Sequence, residues 1–358
     1  MKLHGRPTEA SFQAGTLANE YSLCVLELQF LLQWLDRCFE QGILSERDTG
    51  LPLSEMGSIE FLETMIKKIC FKEGFGAVLA EGALRASKIC GKESQEITND
   101  FLTQTGYAVP YGPKVFIQSS LIFATEARPL ITELHEVRES ATKWAIWYMS
   151  KGEKLYVSTD VLRKIADKFW GSEKAVDFST YEGKALAAVK VQNRQFIKES
   201  LILCDLAWPV FDDASTEDHV GDPTLESQFL SAVTGREIDE KELDHIGERI
   251  FTLNRAILLR EGRKGREDDY LPESQFIERE EPISDLFGLN NPELFLPGKG
   301  DEVVSRKGKA VDREKFEQIK DEYYQLRGWD VPTGLLKKDT LKKLALEDVI
   351  EPLKGKVI

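Results

Sequence analysis

Two short stretches of this sequence hold residues whose types and spacing could do cofactor or metal chemistry. Glu199-Ser-Leu-Ile-Leu-Cys204, followed by Asp205, sets a carboxylate and a thiol on either side of an apolar run at the end of a long helical pattern. Asn19-Glu-Tyr-Ser-Leu-Cys24 repeats it in weaker form: a polar side chain, three intervening residues, then Leu and Cys. A helix end leaves backbone groups unpaired and able to meet a ligand. A lone thiol and a carboxylate or amide at such an end are residue types by which a cofactor could be met. Two copies in different parts of one chain suggest two half-sites facing one object.

The remaining chemistry-bearing residues are sparse. Five cysteines (24, 38, 70, 90 and 204) are widely spaced and lack any Cys-x-x-Cys, which argues against a disulfide framework or a self-contained zinc site. A small buried hydrophobe is the plain alternative for any one of them. The acidic linker Phe211 to Pro223, with Asp212, Asp213, Glu217, Asp218, His219 and Asp222, lacks the fixed spacing of a cation loop and reads as solvated.

The elements that must position these residues are helical. Residues 1 to 16 are polar and without periodicity, so the first element is expected near Asn19. Tyr21 to Phe39 is apolar almost all round with Gly42 behind it, a buried helix with its C-cap. Ser58 caps a second helix carrying Ile59, Leu62, Met65, Ile66 and Ile69 at helical spacing, and Val78 to Cys90 makes a third. Pro113 and Pro129 stand where helices begin, about Lys114 to Thr125 and Leu130 to Met149, the second containing His135, Trp144 and Trp147. Asp160 to Trp170 follows. Ser179-Thr-Tyr-Glu182 fits a capping box opening a helix that runs to Cys204 and stops before Pro209. Pro223 to Val233, Asp239 to Arg260, Arg313 to Leu326 and Thr340 to Leu346 complete the set. Strands are nearly absent, so the class is all-α, with a helical domain over 1–100 and a second over 101–358.

Composition sets the outer limits. In 358 residues, 47 Lys plus Arg stand against 61 Asp plus Glu, a net charge of -14, which disfavours nucleic acid or an anionic membrane as the main partner. No segment reads as a signal peptide and no run approaches the roughly 20 apolar residues of a bilayer span. A cytoplasmic protein is expected.

Several segments in a specific order resemble the C-terminal two helical domains of the tungsten-dependent aldehyde:ferredoxin oxidoreductase family. They are Cys38-Phe-Glu-Gln-Gly-Ile-Leu-Ser45, Gly76-Ala-Val-Leu-Ala-Glu-Gly-Ala-Leu-Arg-Ala86, Tyr181-Glu-Gly-Lys-Ala185, Ile246-Gly-Glu-Arg-Ile250, Leu253-Asn-Arg255, Arg260-Glu-Gly262, Asp268-Asp-Tyr-Leu-Pro272 and Tyr323-Tyr-Gln-Leu-Arg-Gly-Trp-Asp330. The resemblance implies a tungsten or molybdenum ion held by two pterins, with a nearby 4Fe-4S cluster relaying electrons to ferredoxin. It implies that Cys204 matches the fourth cluster ligand in an Asp-x-x-Gly-Leu-Cys motif and Glu199 the pterin-binding Asp of that motif. Asn19 and Cys24 match the two aspartates of a related Asp-x-x-Gly-Leu-Asp motif, and Asp205 is grouped with these cofactor-facing residues. His135 is the histidine nearest a position where the family has one, as a proton donor or acceptor.

Departures from the pattern are as informative. The family's Cys-x-x-Cys-x-x-x-Cys run is missing, and its N-terminal sheet domain would lie before Met1. Glycine is replaced by Ser22 in one motif and Ile202 in the other. The expected function is therefore the C-terminal part, or split subunit, of a tungsten or molybdenum bis-pterin, iron-sulfur oxidoreductase converting aldehydes to carboxylic acids. Its implied partners are a polypeptide carrying the N-terminal domain, ferredoxin and a small aldehyde, and a homo-oligomer is compatible with it. The alternative is a degenerate, non-catalytic member acting as an interaction or assembly subunit.

Overall fold

The computed structural model describes residues 8–107, 112–126, 131–204, 208, 210–279 and 286–358, with the backbone alone for 131–135 and 286. Helices dominate, and among the described residues the only sheet is a two-stranded antiparallel hairpin, Phe295–Pro297 against Val303–Ser305. The chain folds as two compact units, Met1–Val109 with Pro272–Ser274, and Pro110–Leu271 with Gln275–Ile358.

In the first unit, Val25–Glu40 buries Leu28, Leu31, Leu32 and Leu35, the one-sided spacing of a core-facing helix. Trp34 is also fully buried, and its indole donates to Ser94 Oγ at 3.0 Å. Phe61, Leu62, Met65 and Ile66 of the helix Ile59–Phe71 meet the same core. Each fully buried side chain of this size contributes about 1.5–3 kcal/mol of transfer free energy. Ser58 caps that helix as expected, its Oγ accepting from Phe61 N at 3.1 Å.

Two expectations for this unit are corrected. A helix already runs from Glu9 to Glu20, started by a reciprocal capping box between Thr8 and Ser11. Its inward face is made of Ser11, Ala14 and Ala18, too small to give an apolar signal. The expected helix from Val78 to Cys90 is two pieces, Gly76–Leu79 and Ala83–Cys90, because Gly82 turns between them at φ +82°. Glu27 Oε1 then accepts from Ala83 N at 2.7 Å in place of a helical carbonyl.

The second unit is built around the helix Lys184–Ser200. Glu240–Arg260, Arg313–Leu326 and Thr159–Trp170 all pack on it. Its crossing with Glu240–Arg260 is close: a Cβ on Gly247 would lie 2.4 Å from the Asn193 carbonyl oxygen, so no side chain fits there. Three further expectations change here. The helix ends at Ser200 rather than Cys204. It starts from Gly183 in a left-handed conformation, since Ser179 is instead bonded to Asp177 Oδ1. The helix after Pro113 begins only at Ser119.

Candidate functional site

The two stretches singled out by sequence adopt the same turn. At the end of Glu9–Glu20, Tyr21 N donates to Leu17 O (3.0 Å), Ser22 N to Asn19 O (3.0 Å) and Leu23 N to Ala18 O (2.8 Å). At the end of Lys184–Ser200, Leu201 N donates to Ile197 O (2.9 Å), Ile202 N to Glu199 O (3.1 Å) and Leu203 N to Lys198 O (2.9 Å). The bond reaching back five residues, with a left-handed residue just before its donor, is a Schellman helix stop. The left-handed residue is Ser22 (φ 57°) in one copy and Ile202 (φ 59°) in the other. Glycine is the usual occupant, and a β-branched residue there is strained.

What each turn presents follows from this backbone. Asn19 is exposed on the last helical turn, and Cys24 is exposed where the next helix begins. Glu199 is half-buried, Cys204 is exposed, and Ile202 is 92% exposed, the most open large apolar side chain of the described residues. Asn19 and Cys24 lie in the first unit, Glu199 and Cys204 in the second. Asp205 lies outside the described residues. His135 falls within the helix Ile131–Met149, and its side chain is also outside them.

The second turn is anchored from beneath by a buried ionic chain. Glu136, fully buried, accepts from Trp170 Nε1 (3.0 Å) and from an Arg194 terminal nitrogen (3.2 Å), with Lys198 Nζ at 3.5 Å. Arg194 also grips Glu226 at 2.6 Å, and Trp208 Nε1 donates to the same Glu226 oxygen at 3.1 Å. Two cations and two carboxylates cancel. Burying such charges is tolerable only because each has opposite charge or donors around it. Lys198, the residue before Glu199, and Trp208, just beyond Cys204, are thus fixed to one frame. Sequence reasoning missed this chain, though Arg194 and Lys198, one turn apart among Val191, Phe196 and Ile197, were the available signal.

Comparison with known proteins assigns the family by sequence. Residues 4–346 match the family model described as aldehyde ferredoxin oxidoreductase, domains 2 and 3. The chain belongs to that family. Among its relatives, the tungsten-containing aldehyde ferredoxin oxidoreductase of Pyrococcus horikoshii is 24% identical over 341 residues, covering 94% of this chain and 45% of that protein. The Pyrococcus furiosus protein of the same description is 23% identical over 337 residues, covering 94% and 45%. In fold, the chain is similar to the active-site complex BamBC of benzoyl coenzyme A reductase in complex with 1,5-dienoyl-CoA, at TM-score 0.59 and 17% identity, covering 96% of this chain and 47% of that one. The chain spans a little under half the length of the relatives it matches.

The segments that carry the family likeness hold the fold together. Asp269 receives both terminal nitrogens of Arg255 (2.8 and 2.7 Å), Arg263 Nε (2.9 Å) and the Tyr324 hydroxyl (2.5 Å), all buried. Burial pushes the Asp269 carboxyl upward, but Arg255 and Arg263 outweigh it and hold it below the usual carboxylate range. Gly247 permits the helix crossing, and Gly183 precedes Lys184, whose fully buried ammonium group reaches the carbonyls of Lys174 (2.6 Å) and Asp177 (2.7 Å). Desolvation pushes the Lys184 amine down to about 7.

The metal and cluster implied by the family do not fit the described residues of this chain alone. Among them, no three His, Cys, Asp or Glu side chains gather into a group able to hold a metal ion. At the second turn, a whole Ile202 side chain projects where a glycine would leave the backbone open.

Proposed function

We propose that this chain is the C-terminal helical part, or a split subunit, of a tungsten or molybdenum bis-pterin oxidoreductase whose sheet domain and remaining cluster cysteines belong to the N-terminal half. The bound metal and a 4Fe-4S cluster would supply the two-electron oxidation of an aldehyde and water to a carboxylic acid and two protons, and the passage of those electrons to ferredoxin. In this reading Asn19, Cys24, Glu199 and Asp205 face the pterins, Cys204 supplies one thiolate to the cluster, and His135 handles a proton. A cytoplasmic location goes with it. Among the described residues no helix is long and apolar enough to cross a membrane.

The observation supporting this reading is the pair of matching helix stops, each followed by an exposed thiol, in a chain that spans under half of its relatives. Co-expression with a polypeptide carrying the N-terminal half tests it. The purified complex is expected to hold tungsten or molybdenum together with iron, and Cys204→Ser is expected to abolish or alter the iron-sulfur EPR signal. A stable complex without either metal would sink the catalytic reading.

A second reading, a non-catalytic assembly subunit, is favoured by one specific observation. Both left-handed positions carry side chains, and that of Ile202 stands in solvent. Under this reading the same complex forms and is metal-free, and Ile202→Asp weakens it.

A further inference from the structure

A cleft of about 370 Å³ opens in the second unit; Arg194 and Glu226 of the ionic chain form part of its wall, and none of the cofactor roles above uses it. It lies between the end of Thr159–Trp170, the middle of Lys184–Ser200 and the start of Glu240–Arg260. That size suits a small organic ligand. Phe169, Ile197 and Leu243 give it an apolar lining, and each is otherwise buried.

The charges around the lining are unevenly satisfied. Asp244 is paired with Lys190 at 2.9 Å and accepts from Asn193 Nδ2 at 3.2 Å. Glu226 is held by Arg194 and Trp208. Lys168 and Lys241 line the same cleft and are exposed; neither makes a hydrogen bond or close ion pair through Nζ among the described residues, and Lys168 is near enough to Asp218 and Asp222 for its charge to help lower their carboxyls. Glu240 is the one carboxylate of the lining with no ion pair among them, and burial raises its carboxyl pKa. The cleft thus sets two exposed ammonium groups, Lys241 and the loosely shared Lys168, over an apolar floor.

We propose that this cleft binds a small monocarboxylate with an apolar body, its carboxylate at Lys168 and Lys241 and its hydrocarbon on Phe169, Ile197 and Leu243. An apolar body without charge would leave the two lysines unserved, and a cation would meet them with like charge. Glu240 opposes the incoming anion, so it limits affinity. The site stands apart from the oxidoreductase reading and does not depend on it.

Hexanoate, titrated into the full chain and followed by calorimetry and amide NMR, is the probe. Saturable one-to-one binding is expected, at least about tenfold tighter than hexylammonium or hexan-1-ol. Shifted amides should cluster on residues 168–171, 190–197 and 240–244. The double variant Lys168→Glu, Lys241→Glu changes two exposed side chains, so it should keep its melting temperature while losing at least about tenfold in affinity. Glu240→Gln should bind hexanoate more tightly than the unmodified chain. Unsaturable binding, equal binding of hexylammonium, or full affinity in the double variant would each overturn the proposal, whatever the metal content of any complex.

Discussion

The two helix stops share a backbone and differ in what holds them. The first closes a helix whose inward face is Ser11, Ala14 and Ala18, opened by an ordinary capping box. The second closes a helix that carries a buried ionic chain near its end and a buried lysine at its start. One is a surface turn on a light scaffold. The other is rigidly founded and carries the greater strain, in Ile202 rather than Ser22. The difference teaches that a repeated turn need not be a repeated function, since only the second is supported by groups expensive to bury.

The largest effect should come from removing the foundation of the second unit alone. Asp269→Ala leaves Arg255 and Arg263 buried without their shared carboxylate, costing about 3–5 kcal/mol. By hydrogen exchange, the Leu203 amide is expected to lose protection while the Leu23 amide keeps it. Equal loss at both would show that the two stops are not independently founded.

Acidity should separate them next. The unfolded lysine titrates near its ordinary value of about 10.4, whereas folded Lys184 is pushed down to about 7. Between those values the unfolded chain binds a proton the folded chain does not, so stability rises with pH across that window. Lys184→Met is expected to flatten the slope of denaturation midpoint against pH, and an unchanged slope would place the titration elsewhere. The first helix, opened by Thr8, has no such residue at its start.

Relief of strain is a smaller contrast with the opposite sign. Ile202→Gly is expected to stabilise the chain by about 1 kcal/mol, after allowing for the extra freedom of an unfolded glycine, and Ser22→Gly by less. Midpoints in urea measure both. Destabilisation by Ile202→Gly would mean that the side chain makes contacts that outweigh its backbone cost.

The smallest contrast is in thiol chemistry. Cys24 and Cys204 are both exposed and should react with a disulfide reagent at rates within about tenfold of each other. Cys38 is buried and its thiol is pushed up to about 11 by desolvation, so it should react only on unfolding. A protected Cys204 would contradict the open second stop.

Much of the helical framework was legible because core-facing helices advertise themselves. Asp239 and Asp312 cap the helices Glu240–Arg260 and Arg313–Leu326 within a residue of where periodicity begins. The first helix was not legible, since Ala14 and Ala18 pack closely without being strongly apolar. Nor was the shared stop, because left-handed turns are read from glycine and here serine and isoleucine take its place. The ionic chain joins Glu136 to Lys198, and Tyr324 meets Asp269. Side chains so far apart in sequence leave no local pattern. The resemblance pointed at the right segments, but their residues serve packing: Gly247, Arg255, Asp269 and Tyr324 fasten the second unit.

The bare crossing at Gly247 also makes a mechanical input. Asn193, whose backbone oxygen sits where a Cβ would go, is tethered at both ends of its amide, Nδ2 to Asp244 and Oδ1 to Arg327 at 2.5 Å. One added carbon at position 247 would therefore push a lever with two arms, one ending at the carboxylate that lines the cleft and the other among the aromatic rings around Arg327.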